Sequence, residues 1–208
     1  GLATRAWLLA IAGQLLLLVA GFELVRQLAQ NAPAWPWALA PLTCVLLLSL
    51  GTARYLGARP EAGAAFREPL LTVATIYRAA AFLMAMMWTF QYIPGRDQVW
   101  FLSALGTALF ALAGGLRNRE ALTYSALFYA TGVVIFFLGL ARFDEVVTWP
   151  NLLALATLGV LQQIARRAPD RYRLDEWMQA VMMVSTVLAP WSLVARLFVL
   201  PPGGGPLL

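Results

Sequence analysis

Arg78 is the residue with the most chemistry to explain. It stands in Thr75-Ile76-Tyr77-Arg78-Ala79, inside the apolar run Leu70–Ile93. A guanidinium deep in hydrocarbon is costly, so it marks a substrate or ion path unless it pairs or reaches an interface. If the lipid-buried part of the run starts near Ala74, Arg78 lies about one turn inside the boundary and can snorkel. Snorkelling or structural pairing is the favoured reading, with a path role as the alternative.

Other polar candidates are fewer. Asp97 and the pair Asp144–Glu145 offer carboxylates for acid–base work or cation binding, but each lies in a short polar link beside Arg96 or Arg142. Solvated link charge is the simpler account. Glu23 and Arg26 are three apart, share a helix face and should pair locally. Pro190 interrupts the last apolar run and frees the Thr186 carbonyl, which predicts a kink. Nearby Ser185, Thr186 and Ser192 are the hydroxyls expected to re-satisfy the backbone there.

Absent residues exclude more. The chain has no His and no Lys, and its only Cys is Cys44. A Ser–His or Cys–His nucleophile, a His-ligated haem, a retinal Schiff base and a Cys/His metal site are all unavailable. Neither GxxxxGK[ST] nor GxGxxG occurs. No catalytic, cofactor-binding or metal-binding residue is therefore assigned, and no cofactor is expected.

The elements that must hold these residues follow from composition. Of 208 residues 61% are hydrophobic and 12% charged, with a mean hydropathy of +0.73. A soluble domain needs roughly a quarter of its residues charged, so this chain needs lipid as solvent. Seven runs approach the roughly 17–25 apolar residues that cross a bilayer. They are Trp7–Arg26, Trp37–Tyr55, Leu70–Ile93, Val99–Leu116, Ala121–Ala141, Val147–Ile164 and Trp177–Leu200. Period-2 alternation is missing, which argues against a membrane β-barrel. The fold class is thus all-α: a polytopic transmembrane bundle of about seven helices, residues 1–200 forming one domain and 201–208 a Pro/Gly-rich linker or tail. A signal peptide competes for the first run, because Arg5 precedes its apolar core. The first residue, Gly1, and the Pro/Gly-rich end suggest an excerpt from a longer protein.

Breakers separate the runs: Asn31-Ala32-Pro33 with Pro36, the stretch Gly57–Pro69, the tight turn Ile93-Pro94-Gly95, and Ala168-Pro169-Asp170. Arg117-Asn118-Arg119-Glu120 is so short that the fourth and fifth helices must be antiparallel neighbours.

All fifteen basic residues are Arg, and their placement sets an orientation. Ten fall on the N-terminal side: Arg5, Arg54, Arg59, Arg67, Arg117, Arg119, Arg166, Arg167, Arg171 and Arg173. Four fall opposite: Arg26, Arg96, Arg142 and Arg196. Positive links stay cytoplasmic, so the N-terminus is expected inside, in a cytoplasmic (inner) membrane. Trp35, Trp37, Trp100 and Trp149 then open outer helix ends, and Trp7 and Trp177 inner ones, as interfacial indoles do. The net charge of +5 is read as affinity for anionic lipid head groups at the Arg-rich inner links; nucleic acid is not an expected partner.

Small residues four apart, Ala104/Ala108 and Ala111/Gly115 in the fourth run and Ala126/Ala130 in the fifth, predict close helix seams. Ala104-Leu105-Gly106-Thr107 recurs fifty positions on as Ala154-Leu155-Ala156-Thr157, which suggests a repeated hairpin. The segments Trp100–Leu105 and Gly114–Arg119 with the returning helix, then Leu174-Asp175-Glu176-Trp177 and Pro201–Pro206, carry a family resemblance. In these the chain resembles large bacterial multi-spanning membrane proteins of a family of unknown function, built from apolar hairpins with short Arg-rich turns. The resemblance implies one segment of a many-helix envelope protein, with other transmembrane segments as partners, and carries over no functional residue. The expected role is non-catalytic packing, assembly or support. A transporter or channel module using Arg78 and the Pro190 kink is the alternative, and an enzyme acting on lipid-linked substrate the third.

Overall fold

The computed structural model describes residues 7–30, 35–58, 67–116, 119–141, 147–168, 172 and 174–199. Among them are seven α-helices, one 3-10 turn and no strand. The helices are α1 (Trp7–Gln30), α2 (Trp35–Ala58), α3 (Arg67–Tyr92), α4 (Gln98–Leu116), α5 (Arg119–Ala141), α6 (Trp149–Arg167) and α7 (Glu176–Val199). Each apolar run of the sequence is a helix. Among the described residues three stretches are long and apolar enough to cross a membrane: Glu68–Tyr92, Gly95–Gly115 and Arg119–Ala141. Residues 201–208, read as a tail, lie outside the described residues.

Helix ends carry their usual chemistry. Glu68, Glu120 and Glu176 stand in the first turns of α3, α5 and α7, where the dipole favours negative charge. Arg166 and Arg167 close α6, where it favours positive charge. Pro36, expected in a link, is instead the second residue of α2. Its missing N–H is harmless there, because first-turn N–H groups have no intrahelical acceptor. Pro94 precedes the 3-10 turn Gly95–Asp97, which the Asp97 N–H closes on the Pro94 carbonyl at 2.8 Å.

The chain divides into two compact units, Gly1–Tyr92 and Ile93–Leu208. In the first, α2 and α3 pack along each other and α1 rests more lightly on both. Small groups allow the approach: Ala74 and Ala81 of α3 and Ser49 of α2 are buried. Leu15, Leu16, Val19 and Phe22 of α1 are exposed, an apolar face that suits lipid far better than water.

The second unit is a bundle of two hairpins. Helix α4 packs on α5 and α6, and α7 packs on α6 and α5. Corresponding helices of the two hairpins therefore lie side by side, α4 with α6 and α5 with α7. Its core includes Phe110, Tyr129, Phe136, Leu155 and Met178. The seam on α4 differs from expectation. Ala104, Ala108, Ala111 and Gly115 are exposed, while Ser103, Gly106, Ala113 and Gly114 are buried. Small residues occur all round this helix, so spacing alone could not show which set faces its partners. On α5, Ala126 is buried and Ala130 half-buried, as the seam reading requires.

Two glycines are fixed by close approach. A Cβ on Gly106 would sit 3.0 Å from the Tyr129 ring and 3.2 Å from the Ser125 carbonyl. A Cβ on Gly114 would overlap the ring and hydroxyl of Tyr172, which stacks on Phe110 with centroids 4.6 Å apart. Gly114→Ala should therefore destabilise the bundle by about 1–3 kcal/mol through overpacking. Gly115→Ala, with open space around its Cβ, should be neutral or slightly stabilising. Thermal unfolding of both variants in detergent, followed by circular dichroism, checks the contrast; equal behaviour would disprove the Tyr172 placement.

Candidate functional site

Arg78 lies ten residues from Glu68 and fourteen from Tyr92 within the apolar stretch of α3, about 15 and 21 Å along the axis. Its guanidinium crosses to the neighbouring helix: Nη1 donates to Ser49 Oγ of α2 at 3.2 Å. Nη2 donates to Thr75 Oγ1, one turn back on α3, at 3.0 Å. The Ser49 hydroxyl donates in turn to the Ala74 carbonyl at 3.1 Å. A relay therefore runs from guanidinium to hydroxyl to backbone. Each link lowers the cost of holding the charge away from bulk water. Of the two readings of Arg78, this geometry matches structural pairing.

Glu23 and Arg26 pair as expected, and do so in bidentate form. Nε donates to Oε2 at 2.9 Å and Nη2 to Oε1 at 2.7 Å. Arg26 also reaches Gln30 Oε1 at 3.2 Å. Both side chains are largely exposed, so the stability gained is small.

Asp97 has two neighbours. Its Oδ1 accepts the Trp100 indole N–H at 3.2 Å, and Oδ2 lies 3.5 Å from Arg96 Nε. The carboxylate is thus part of the start of α4. Asp144 and Glu145 lie outside the described residues. Among the described residues no group of His, Cys, Asp or Glu is assembled to hold a metal ion.

Pro190 is exposed, and α7 is helical on both sides of it. The nearby hydroxyls are engaged elsewhere: Ser185 donates to Val181 O at 2.6 Å and Thr186 to Met182 O at 2.7 Å. Contrary to the expectation for these two residues, neither Ser185 nor Thr186 turns to the carbonyl that proline frees. A hydroxyl in a helix finds the carbonyl four residues back at ordinary rotamers, and that local bond prevails.

The residue that spacing missed is Asn151, fully buried near the start of α6. Its Oδ1 accepts the Trp100 N–H at 3.1 Å, and its Nδ2 donates to the Arg96 carbonyl at 3.1 Å. Trp100 is the third residue of α4, where an N–H has no acceptor within its own helix. A side chain from another helix supplies one. Only the Trp149-Pro150-Asn151 helix start could have drawn attention to it in sequence. Further in, Ser125 Oγ donates to the Gly106 carbonyl at 2.7 Å. The Tyr129 hydroxyl of α5 is hydrogen-bonded to Thr107 of α4 and to Thr157 of α6. Those threonines occupy equivalent places in the fifty-residue repeat. At the other end Arg119 Nη2 meets Asp175 Oδ1 at 2.8 Å, joining the starts of α5 and α7.

No protein-family model, curated protein or solved structure matches the chain. Among the polar groups described, Asn151, Ser125, Tyr129 and Ser49 tie neighbouring helices together.

Two outcomes follow. Asn151→Leu leaves the Trp100 N–H and Arg96 carbonyl without this partner and should cost about 1–3 kcal/mol. Asn151→Asp, which buries a carboxylate and sets an acceptor against the Arg96 carbonyl, should cost at least as much; thermal unfolding in detergent at neutral pH checks both. For the deep arginine, a double-mutant cycle of Arg78→Leu and Ser49→Ala should show a coupling of about 0.6–2 kcal/mol. Strict additivity would mean that the two groups do not interact.

Proposed function

We propose that the chain is a non-catalytic, multi-pass module of an inner membrane, whose work is packing, assembly or support of a larger envelope protein. The observation that carries this reading is the use made of buried polar atoms. Asn151, Ser125, Tyr129 and Ser49 bond to neighbouring helices, which is what hydrogen bonds do in membrane bundles that hold a shape. In this reading all seven helices cross, the N-terminus is cytoplasmic and the last helix ends outside. The four hairpin helices α4–α7 form a duplicated unit. Support for duplication comes from Thr107 and Thr157, which stand at matching repeat positions and share Tyr129.

A transport role is the second reading, and Arg78 is the observation that favours it. Its depth in α3 and its bond across to α2 would suit a helix pair that shifts around a charged centre. A packing role predicts that Arg78→Gln keeps the assembly intact with at most a modest loss of stability.

Reporters inserted at Gly95 and at Asn118 check the topology. The Gly95 fusion should be active outside the cytoplasm and the Asn118 fusion inside. Reporters on the same side would show that α4 does not cross, and would overturn the seven-span arrangement.

A further inference from the structure

We infer that the exposed face of α6 is a binding surface for an anionic phospholipid, its head group at Arg166 and Arg167 and its acyl chain along the helix. This rests on the membrane reading above. Successive offsets of four, seven, four and three residues place Trp149, Leu153, Val160, Ile164 and Arg167 on one face of α6. The exposures agree: Trp149 is 67% exposed, Leu153 70%, Val160 61% and Ile164 45%. Asn151, Leu155 and Ala165 lie on the opposite, buried face.

The stripe has polarity along its length. An indole stands at one end, aliphatic side chains follow, and an arginine stands at the other. The 19 residues of α6 cover about 28 Å, close to the roughly 30 Å hydrocarbon thickness of a bilayer. Trp149 then falls at one interface and Arg167 at the other, each where its chemistry is favoured.

Charge selects the lipid class. Arg166 and Arg167 are exposed and have no ion pair among the described residues. Arg119, at the same end of the bundle, is held by Asp175 at 2.8 Å. Both α6 guanidiniums reach solvent, and each presents a bidentate fork that fits a phosphate. Ile164, one turn inward on the face of Arg167, offers apolar surface to the first methylenes below that head group. A zwitterionic lipid brings its own cation to the same place, so an anionic head group is preferred.

Native mass spectrometry of the full chain in detergent, titrated with phosphatidylglycerol or phosphatidylcholine, tests the assignment. Phosphatidylglycerol should bind more tightly, and Arg166→Gln/Arg167→Gln should weaken it about five-fold per arginine at low salt. Arg166→Lys/Arg167→Lys should restore most of the preference. Alkaline carbonate extraction of cell membranes is run in parallel on the same proteins. Equal binding of the two lipids, or a preference unchanged in the Gln variant, overturns the lipid site while a carbonate-resistant chain keeps the membrane reading. Release of the wild-type chain by carbonate overturns both.

Discussion

Asn151 ties together two helix starts, those of α4 and α6. A helix beginning leaves its first N–H groups without partners, and in an apolar setting water is not there to take them. By accepting from Trp100 and donating to Arg96, one carboxamide satisfies both kinds of backbone group. It also sets the height of α6 against α4, because a shift by one turn would move it about 5 Å from both partners. Ser125 on Gly106 and the Tyr129 hydroxyl between Thr107 and Thr157 require that same height. The apolar core then fills in around positions already determined by polar bonds. Van der Waals packing alone would tolerate neighbouring registers more readily, since Leu, Val and Ala recur at almost every step.

The two hairpins are joined at both ends by different means. At the starts of α4 and α6 the tie is a neutral, buried amide. At the starts of α5 and α7 it is an exposed ion pair between Arg119 and Asp175. Burial accounts for the difference. A carboxylate and guanidinium in the position of Asn151 would each need desolvation, a penalty that a neutral amide avoids. Near solvent the ion pair carries little such penalty, and contributes correspondingly little. In the first unit the deep guanidinium of Arg78 has no such choice, and hydroxyls of Ser49 and Thr75 stand close to it.

Most of the helical architecture was legible because long apolar runs leave little freedom. Each of the seven runs is a helix, and their ends fall within a few residues of the breakers. Glu23 and Arg26 were legible too, since a contact three residues apart needs only a helix. What depended on which helix lies beside which was not. Asn151 resembled an ordinary polar residue at a helix start, and Pro36 a link residue. The seam of α4 was placed on Ala104 and Ala108 instead of Gly106 and Gly114, because an apolar helix has no amphipathic period to orient it. Arg78 stood out as costly, yet its partner Ser49 carries no mark in the sequence.

The ring of Tyr172 over Gly114 bears on the order of assembly during synthesis. Gly114 belongs to the first hairpin of its unit, whereas Tyr172 emerges only after α6 is complete. Until then the notch at Gly114 and the face of Phe110 are unfilled, and the hairpin α4–α5 lacks part of its core. The aromatic ring that closes it arrives just ahead of α7, on the same short stretch as Asp175. Tyr172 and Asp175 are three residues apart, so the ring over Gly114 and the ion pair with Arg119 together fix where the last helix starts.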